Sequence, residues 1–240
     1  MRTLAVIAAS GLTVAIVCIG AVAAIGVQDG AKAGFDFPMF GPSCGRGDDG
    51  GAVTSRTMAW DGSDKEVLAV PGRAHYAPGN DAMLHIKGDA ALLSHIRLRD
   101  GKIELNCHNW RGDRDDIEVT LPGRTFRAFA IAGSGRLVLD GLSQQDLKVS
   151  IAGSGDVRAN GQVEHLEVRI AGSGDADLGA VKSDDVNVRI AGSGNADIAP
   201  RQKAAIRIAG SGDVTLHSYP ADLDTHIAGS GRIRHAEDGI

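Results

Sequence analysis

Aromatic side chains are scarce in this chain, with two Trp, two Tyr and five Phe among 240 residues. A large aromatic-centred core is therefore excluded. A cationic surplus is missing as well. Against 30 Asp and Glu stand 25 Lys and Arg, for a formal net charge of −5, so the dense basic face of a nucleic-acid binder is absent. Cysteine is limited to Cys18, Cys44 and Cys107, too few for a disulfide-built scaffold. No glycine turn ends in Gly-Lys-Ser/Thr, which excludes a phosphate loop. His85, His95 and His108 show no short metal-ligand spacing, and the adjacent Cys107 and His108 would point to opposite sides of a strand, so no metal site and no cofactor is expected. What the chain does have is glycine, 33 residues of it, the mark of repeated tight turns. The length suits one ordinary domain with a core, plus a tail or targeting segment.

Arg2 precedes an uncharged apolar run from Leu4 to Val27. Residues 1–27 are read as a targeting segment outside the fold, either a signal peptide or a transmembrane anchor. Ala21-Val22-Ala23 and Ala31-Lys32-Ala33 both offer small-residue cleavage sites. As a helix the run would span about 36 Å, enough to cross a bilayer. In either case the basic flank stays inside and the bulk of the chain is expected in the periplasm or cell envelope, touching the membrane only through this segment. Cys44 and Cys107 then sit in an oxidising compartment, either joined or both unpaired. Residues 28–56 read as a flexible spacer.

Within residues 57–240 self-similarity dominates. The pentapeptide IAGSG begins at Ile131, Ile151, Ile170, Ile190, Ile208 and Ile227, at spacings of 20, 19, 20, 18 and 19. Around each copy apolar residues alternate with a period of two, as in a strand with one buried face. Two places before the isoleucine stand Phe129, Val149, Val168, Val188, Ile206 and Thr225; six places after it stand Leu137, Val157, Ala176, Ala196, Val214 and Ile233. All of these are expected to point inward. Each period of about 19 residues is strand, corner, strand and a link too short for a crossover helix. Equivalent strands can then pair in parallel only by coiling about one axis, so the fold expected for 129–235 is an all-β, right-handed parallel β-helix.

The corners are Gly133-Ser134-Gly135, Gly153-Ser154-Gly155, Gly172-Ser173-Gly174, Gly192-Ser193-Gly194, Gly210-Ser211-Gly212 and Gly229-Ser230-Gly231. Both glycines of each corner are expected to adopt backbone angles closed to other residues, and the serines to stack as a hydroxyl ladder. Six identical serines with no positioned histidine are structural, since a nucleophile occurs once per site. After each corner an outward column reads Arg136, Asp156, Asp175, Asn195, Asp213 and Arg232, and before the isoleucines stand Arg169, Arg189 and Arg207. Within the column Asn195 is expected to separate Asp175 from Asp213 and Arg136 and Arg232 to close its two ends, while Arg169, Arg189 and Arg207 are expected to balance the aspartates across the corner. Upstream, Ile96–Leu105 reads as a hairpin turning on Asp100-Gly101, and Ile117–Pro122 as a strand, both capping the N-terminal end.

The corners, the GSGD form at Asp156, Asp175 and Asp213, and the strand Ile117 to Pro122 resemble the auto-transporter adhesin head domain, or GIN domain, of bacterial envelope proteins, over about Met58 to Gly239. The resemblance implies a right-handed parallel β-helix, export and an adhesive or envelope role, and it brings no catalytic residues. The expected function is an exported, non-catalytic, adhesin-like binding or structural module whose partner is an envelope protein or polysaccharide. The alternatives are a polysaccharide-acting β-helix enzyme and an envelope-stress partner of another membrane protein. Arg46-Gly47-Asp48 and Arg111-Gly112-Asp113 are read as chance occurrences.

Overall fold

The computed structural model describes residues 52–107 and 117–236. They belong to one compact unit, Pro38–Ile240. The apolar N-terminal run, Cys18, Cys44, His108 and both Arg-Gly-Asp tripeptides lie outside the described residues.

The chain opens with β1 (Val53–Ala59), β2 (Lys65–Ala69), β3 (Arg73–Tyr76) and β4 (Met83–Asp89). Because β1 pairs with β4 from Val53 onward, regular structure reaches into the segment expected as spacer. Helix α1 (Ala90–Ser94) follows, started by the Asp89 carboxylate, which accepts from the Ala91 and Leu92 backbone N–H groups. Leu92 and Leu93 anchor it in the core. Then come β5 (Ile96–Arg99) and β6 (Lys102–Leu105), antiparallel about a two-residue turn. Asp100 at φ 50° and Gly101 at φ 73° give that turn the left-handed angles of a tight hairpin, as the Asp-Gly pair predicts. Just beyond, Cys107 is buried and disulfide-bonded, and its partner lies outside the described residues. β7 (Ile117–Thr120) runs antiparallel to β4 and parallel to β3.

The solenoid follows in β8 (Ala128–Gly133), β9 (Arg136–Gly153), β10 (Asp156–Gly172), β11 (Asp175–Gly192), β12 (Ala196–Gly210), β13 (Asp213–Leu216), β14 (Asp222–Gly229) and β15 (Arg232–His235). All six repeat isoleucines are register partners on parallel strands, as are the Ala-Gly pairs that follow them. The fold is therefore the expected parallel β-helix. Its interior is an aliphatic stack: Val149, Val168 and Val188 are wholly buried, and so are Leu137 and Leu139 beside them. Four aromatic rings collect at one end, while Tyr219 stacks on His235 at the other. Trp60, Tyr76, Phe126 and Phe129 meet edge-on or tilted, with centroids 5.1 to 5.7 Å apart, filling the wider interior where the regular turns meet the cap.

Four features depart from the sequence expectation. A further turn lies below the first IAGSG copy, because β2 pairs with β8 and β3 with β9, placing Leu68 under Ile131 and Ala74 under Leu137. Its corner, Val70-Pro71-Gly72, lacks the repeat motif. The link between turns is also no loop. Gln162 and Val163 pair with Ser143 and Gln144 below and with Lys182 and Ser183 above, forming a short third side held inward by Leu142, Val163 and Val181.

The two corner glycines, moreover, are required for different reasons. The first adopts φ between +117° and +140° in all six copies. The second has no positive φ; it lies where a Cβ would strike the turn below, as at Gly174, 2.2 Å from the Gly155 carbonyl oxygen. Finally, the last turn is not covered by any described residue: Leu223, Thr225 and Ile227 are exposed, and among the described residues no strand stacks above them.

Candidate functional site

Because inward positions are aliphatic, the chemistry of the solenoid sits in its outward columns. Alternation puts every second residue of a side on the surface, and the parallel register stacks those residues turn over turn.

On the side preceding the corner, the arginines do not reach across to the aspartates. Arg169 places Nη2 2.6 Å from Glu167 Oε1, and Arg189 places Nη1 3.1 Å from the same oxygen. Arg207 reaches Asp224 at 3.7 Å. The expected cross-corner pairing is thus corrected. Glu167 lies two residues from Arg169 on the same face, whereas the aspartates lie beyond the Gly-Ser-Gly bend.

The aspartate column is instead satisfied along its own axis. Arg136 pairs with Asp156 at 3.3 Å. Asn195 donates both its backbone N–H and its Nδ2 to Asp175 Oδ1, at 3.0 and 2.9 Å. Asn195 Oδ1 then accepts from the Asp213 N–H at 3.0 Å, and Asp213 Oδ1 from the Arg232 N–H at 2.9 Å. Hydrogen bonding to the Arg232 side chain holds the Asp213 carboxyl below its usual range. This is a side-chain ladder that hands backbone N–H groups from one turn to the next. The serines between the glycines contribute through their backbone, Ser154 N–H to the Gly133 oxygen at 2.9 Å and likewise upward. Among the described residues no hydrogen bond joins one serine hydroxyl to the next.

A specific expectation follows for Asn195→Asp. It removes the Nδ2 donor to Asp175 and stacks four carboxylates in a row, from Asp156 to Asp213, at the strand spacing of about 4.8 Å. The new carboxyl, held between two others, would have its pKa raised, so stability should be unaffected at acid pH and fall as pH rises through the carboxylate range, by about 1–2 kcal/mol at pH 7. Thermal melts at pH 3.5 and pH 7 check it, and equal losses at both would refute the ladder's electrostatic role.

Two imidazole–carboxylate pairs lie near the N-terminal end. His75 Nε2 is 2.8 Å from Asp140 Oδ2, and the pair is tied to the next turn by Asn160, whose Nδ2 donates to Asp140 Oδ1. The His75 hydrogen bond keeps the Asp140 carboxyl below its ordinary pKa. His85 Nε2 is 2.8 Å from Asp81 Oδ2, while its Nδ1 lies 3.2 Å from Thr57 Oγ1. That hydroxyl–imidazole–carboxylate order is the one used in nucleophilic catalysis. Here it lies about half exposed on the outer surface of the β1–β4 pair, where water screens its charges. His95 closes α1 through its backbone N–H and does not approach the other histidines' partners. Among the described residues no three His, Cys, Asp or Glu side chains are grouped to hold a metal ion. Cys107, being disulfide-bonded, offers no thiolate.

Two surface depressions are lined wholly by described residues of the solenoid. One, of about 380 Å³, lies over Arg136, Asp156, Arg158, Asp175 and Asp177, where the Arg136–Asp156 and Arg158–Asp177 pairs already use the charges. The other is a groove of about 330 Å³ on the side preceding the corners, crossing five turns and lined by Arg127, Lys148, His165, Glu167, Asp185 and Lys203. Most of its charges are matched: His165 lies 3.3 Å from Asp185 and Lys203 3.7 Å from Asp222. Lys148 and Asp146, both in the groove, carry no ion pair among the described residues. Burial, then the positive charge of Arg169, lowers the pKa of the Lys148 ammonium group. Sequence reading missed the groove because its residues come from five separate turns and share no motif.

Residues 71–220 match the family model described as "Putative auto-transporter adhesin, head GIN domain". The chain belongs to that family. Among solved structures it is similar to a putative adhesin from Bacteroides fragilis, with 16% identity and a TM-score of 0.62 over 77% of this chain and 97% of that one. A putative adhesin from Parabacteroides distasonis matches with 15% identity and a TM-score of 0.50 over 78% of this chain and 98% of that one. At these identities the likeness establishes the fold. No curated protein matches the chain.

Proposed function

We propose that this chain is an exported, non-catalytic, adhesin-like module of the cell envelope that binds an acidic envelope polysaccharide along the groove preceding the corners. Family membership supports the envelope and adhesive part of the reading. The observation that carries the ligand class is Lys148. It is a half-buried cation with no ion-pair partner among the described residues, held in a groove beside Arg127 and close enough to Arg169 to feel its charge. An anionic group placed there gains a direct ion pair with Lys148, whose register neighbour Glu167 is shared between Arg169 and Arg189. Turns recurring every 4.8 Å or so give an extended polymer repeated contacts of the same kind. Each contact is weak at a wet surface, so binding of this type relies on several at once.

The test is retention of the full chain on immobilised polyuronate, lipopolysaccharide and peptidoglycan at low and moderate salt. Retention on an acidic polymer should weaken as salt rises, and Lys148→Glu should reduce it about tenfold without changing the melting temperature. Equal retention of variant and wild type, or no retention on any of the three, would refute the reading. Release of reducing or unsaturated sugar ends during the same incubation would replace it with the enzyme alternative.

A further inference from the structure

We infer that the C-terminal end of the solenoid is a self-association surface, on which two copies of this chain pair edge to edge through β14 about a two-fold axis. The starting observation is the state of the last turn. β14 hydrogen-bonds only to β12, and β15 only to β13, so among the described residues their outer edges are unpaired. In a parallel strand alternate residues point both their N–H and C=O groups to one side, so about half of these twelve residues present a free donor and acceptor. The side chains tell the same story. At the positions of Leu223 and Ile227 the inner turns carry residues exposed by no more than 3%, whereas Leu223 is 42% and Ile227 39% exposed. Repeat arrays ordinarily end in a turn with a polar outer face. This one ends on another copy of the repeat.

The opposite end is built differently, and that decides the geometry. At the N-terminal end the stack is finished by antiparallel pairs, β1 with β4 and β5 with β6, and by α1 with Leu92 and Leu93 buried beneath it. The edges at that end belong to β1 and β5, each paired antiparallel within the chain and outside the parallel repeat register, so a head-to-tail contact would not continue the parallel stack, whereas two C-terminal ends present identical strands to each other. Such pairing is isologous and closes as a dimer.

The sequence of β14 fits that symmetry. Antiparallel pairing centred on Thr225 sets Thr225 against Thr225 of the second copy, Leu223 against Ile227, and Asp224 against His226. The inward residues then form apolar pairs that continue the core across the junction. The outward residues set a carboxylate against an imidazole twice, once on each side of the axis. Like charges meet nowhere in this register, since Asp222 faces Ala228. Main-chain hydrogen bonds along the edge give affinity, and these side-chain pairs select the register.

Cysteine placed on the axis reads the geometry directly. The full chain, purified in mild detergent and oxidised gently, should form a disulfide-linked dimer when it carries Thr225→Cys. It should do so at least tenfold more efficiently than with Asp222→Cys, whose two copies would lie about 20 Å apart in this register. Adding Leu223→Lys and Ile227→Lys should abolish the link. Both sites are exposed, so the lysine variant should keep the wild-type melting temperature measured at high dilution, which separates lost association from lost folding. Three results would overturn the inference: no link at Thr225→Cys at tens of micromolar protein, equal linking at Asp222→Cys, or slow amide exchange along β14 that is independent of protein concentration. The last would mean that the chain covers its own edge.

Discussion

Gly194→Ala should be among the most destabilising single substitutions in this protein, costing more than about 4 kcal/mol although it adds one methyl group. The new Cβ would lie 2.2 Å from the Gly174 carbonyl oxygen and 2.7 Å from Ile170 Cγ2. Neither neighbour can retreat, because Gly174 is stacked in turn on Gly155 and Ile170 is held in the aliphatic column. Gly192→Ala should cost as much, by combining the same 2.2 Å approach to the Gly172 oxygen with a backbone at φ +133°. Gly133→Ala isolates the backbone contribution. Its φ is +117°, but nothing lies within 4 Å of the added carbon, so the loss should be about 1–3 kcal/mol. Ser193→Ala, at an exposed hydroxyl, should stay within about 0.5 kcal/mol of wild type. Chemical denaturation of the four variants checks the order. Similar losses at Gly133 and Gly194 would mean that backbone angle, not close stacking, explains the corner.

Replacing Glu66 should do the reverse and stabilise the fold. Glu66 lies on β2, register partner of Phe129, at the foot of the inward column continued by Val149, Val168 and Val188. Its side chain is wholly buried and neither carboxyl oxygen has a hydrogen-bond partner. Burial pushes its pKa well above the usual value of 4.5. In the folded chain the group stays protonated, while in the unfolded chain it ionises near 4.5. Above that pH the unfolded state holds fewer protons, so stability is greatest below pH 4.5 and declines as pH rises, by about 1.4 kcal/mol per unit until the folded group itself ionises. Asp140 and Asp213, held below their usual range, contribute the opposite slope only in more acid solution. Between pH 5 and pH 8 the difference between wild type and Glu66→Gln isolates Glu66, since every other titrating group is common to both. Glu66→Gln should flatten the decline. Glu66→Met should flatten it and also remove the unsatisfied polar group, giving about 2 kcal/mol or more over wild type at pH 7. An unchanged slope in Glu66→Gln would assign the pH dependence elsewhere.

These two predictions mark how much was legible beforehand. The six IAGSG corners carried the fold, because a 19-residue period with alternating apolar residues admits few structures other than stacked turns. The turn at β2 and β3 was not legible, since Val70-Pro71-Gly72 shares only its last glycine with the repeat. With it, the inward position of Glu66 stayed hidden: a glutamate in a charged stretch reads as solvated. The third side was hidden because each link carries only one or two apolar residues, too few to show a period. The Asp-Arg columns were found as columns, with Arg136, Asn195 and Arg232 placed correctly within the aspartate column, but Arg169, Arg189 and Arg207 were assigned the wrong partners. Sequence gives the position of a charge along a strand, not the direction in which the surface bends between two positions.

The amino-acid sequence by itself determined the repeat, its register and the aliphatic character of the core, because local alternation and glycine placement are written residue by residue. The tertiary structure alone decided which glycine needs its backbone angle as well as space, where among the described residues Lys148 lies without an ion pair and Glu66 without a hydrogen bond, and that no described strand covers the last turn. Each of these depends on what stacks above or below a residue about 19 positions away, and a period in the sequence does not reveal whether that neighbour is a glycine, a charge or nothing at all.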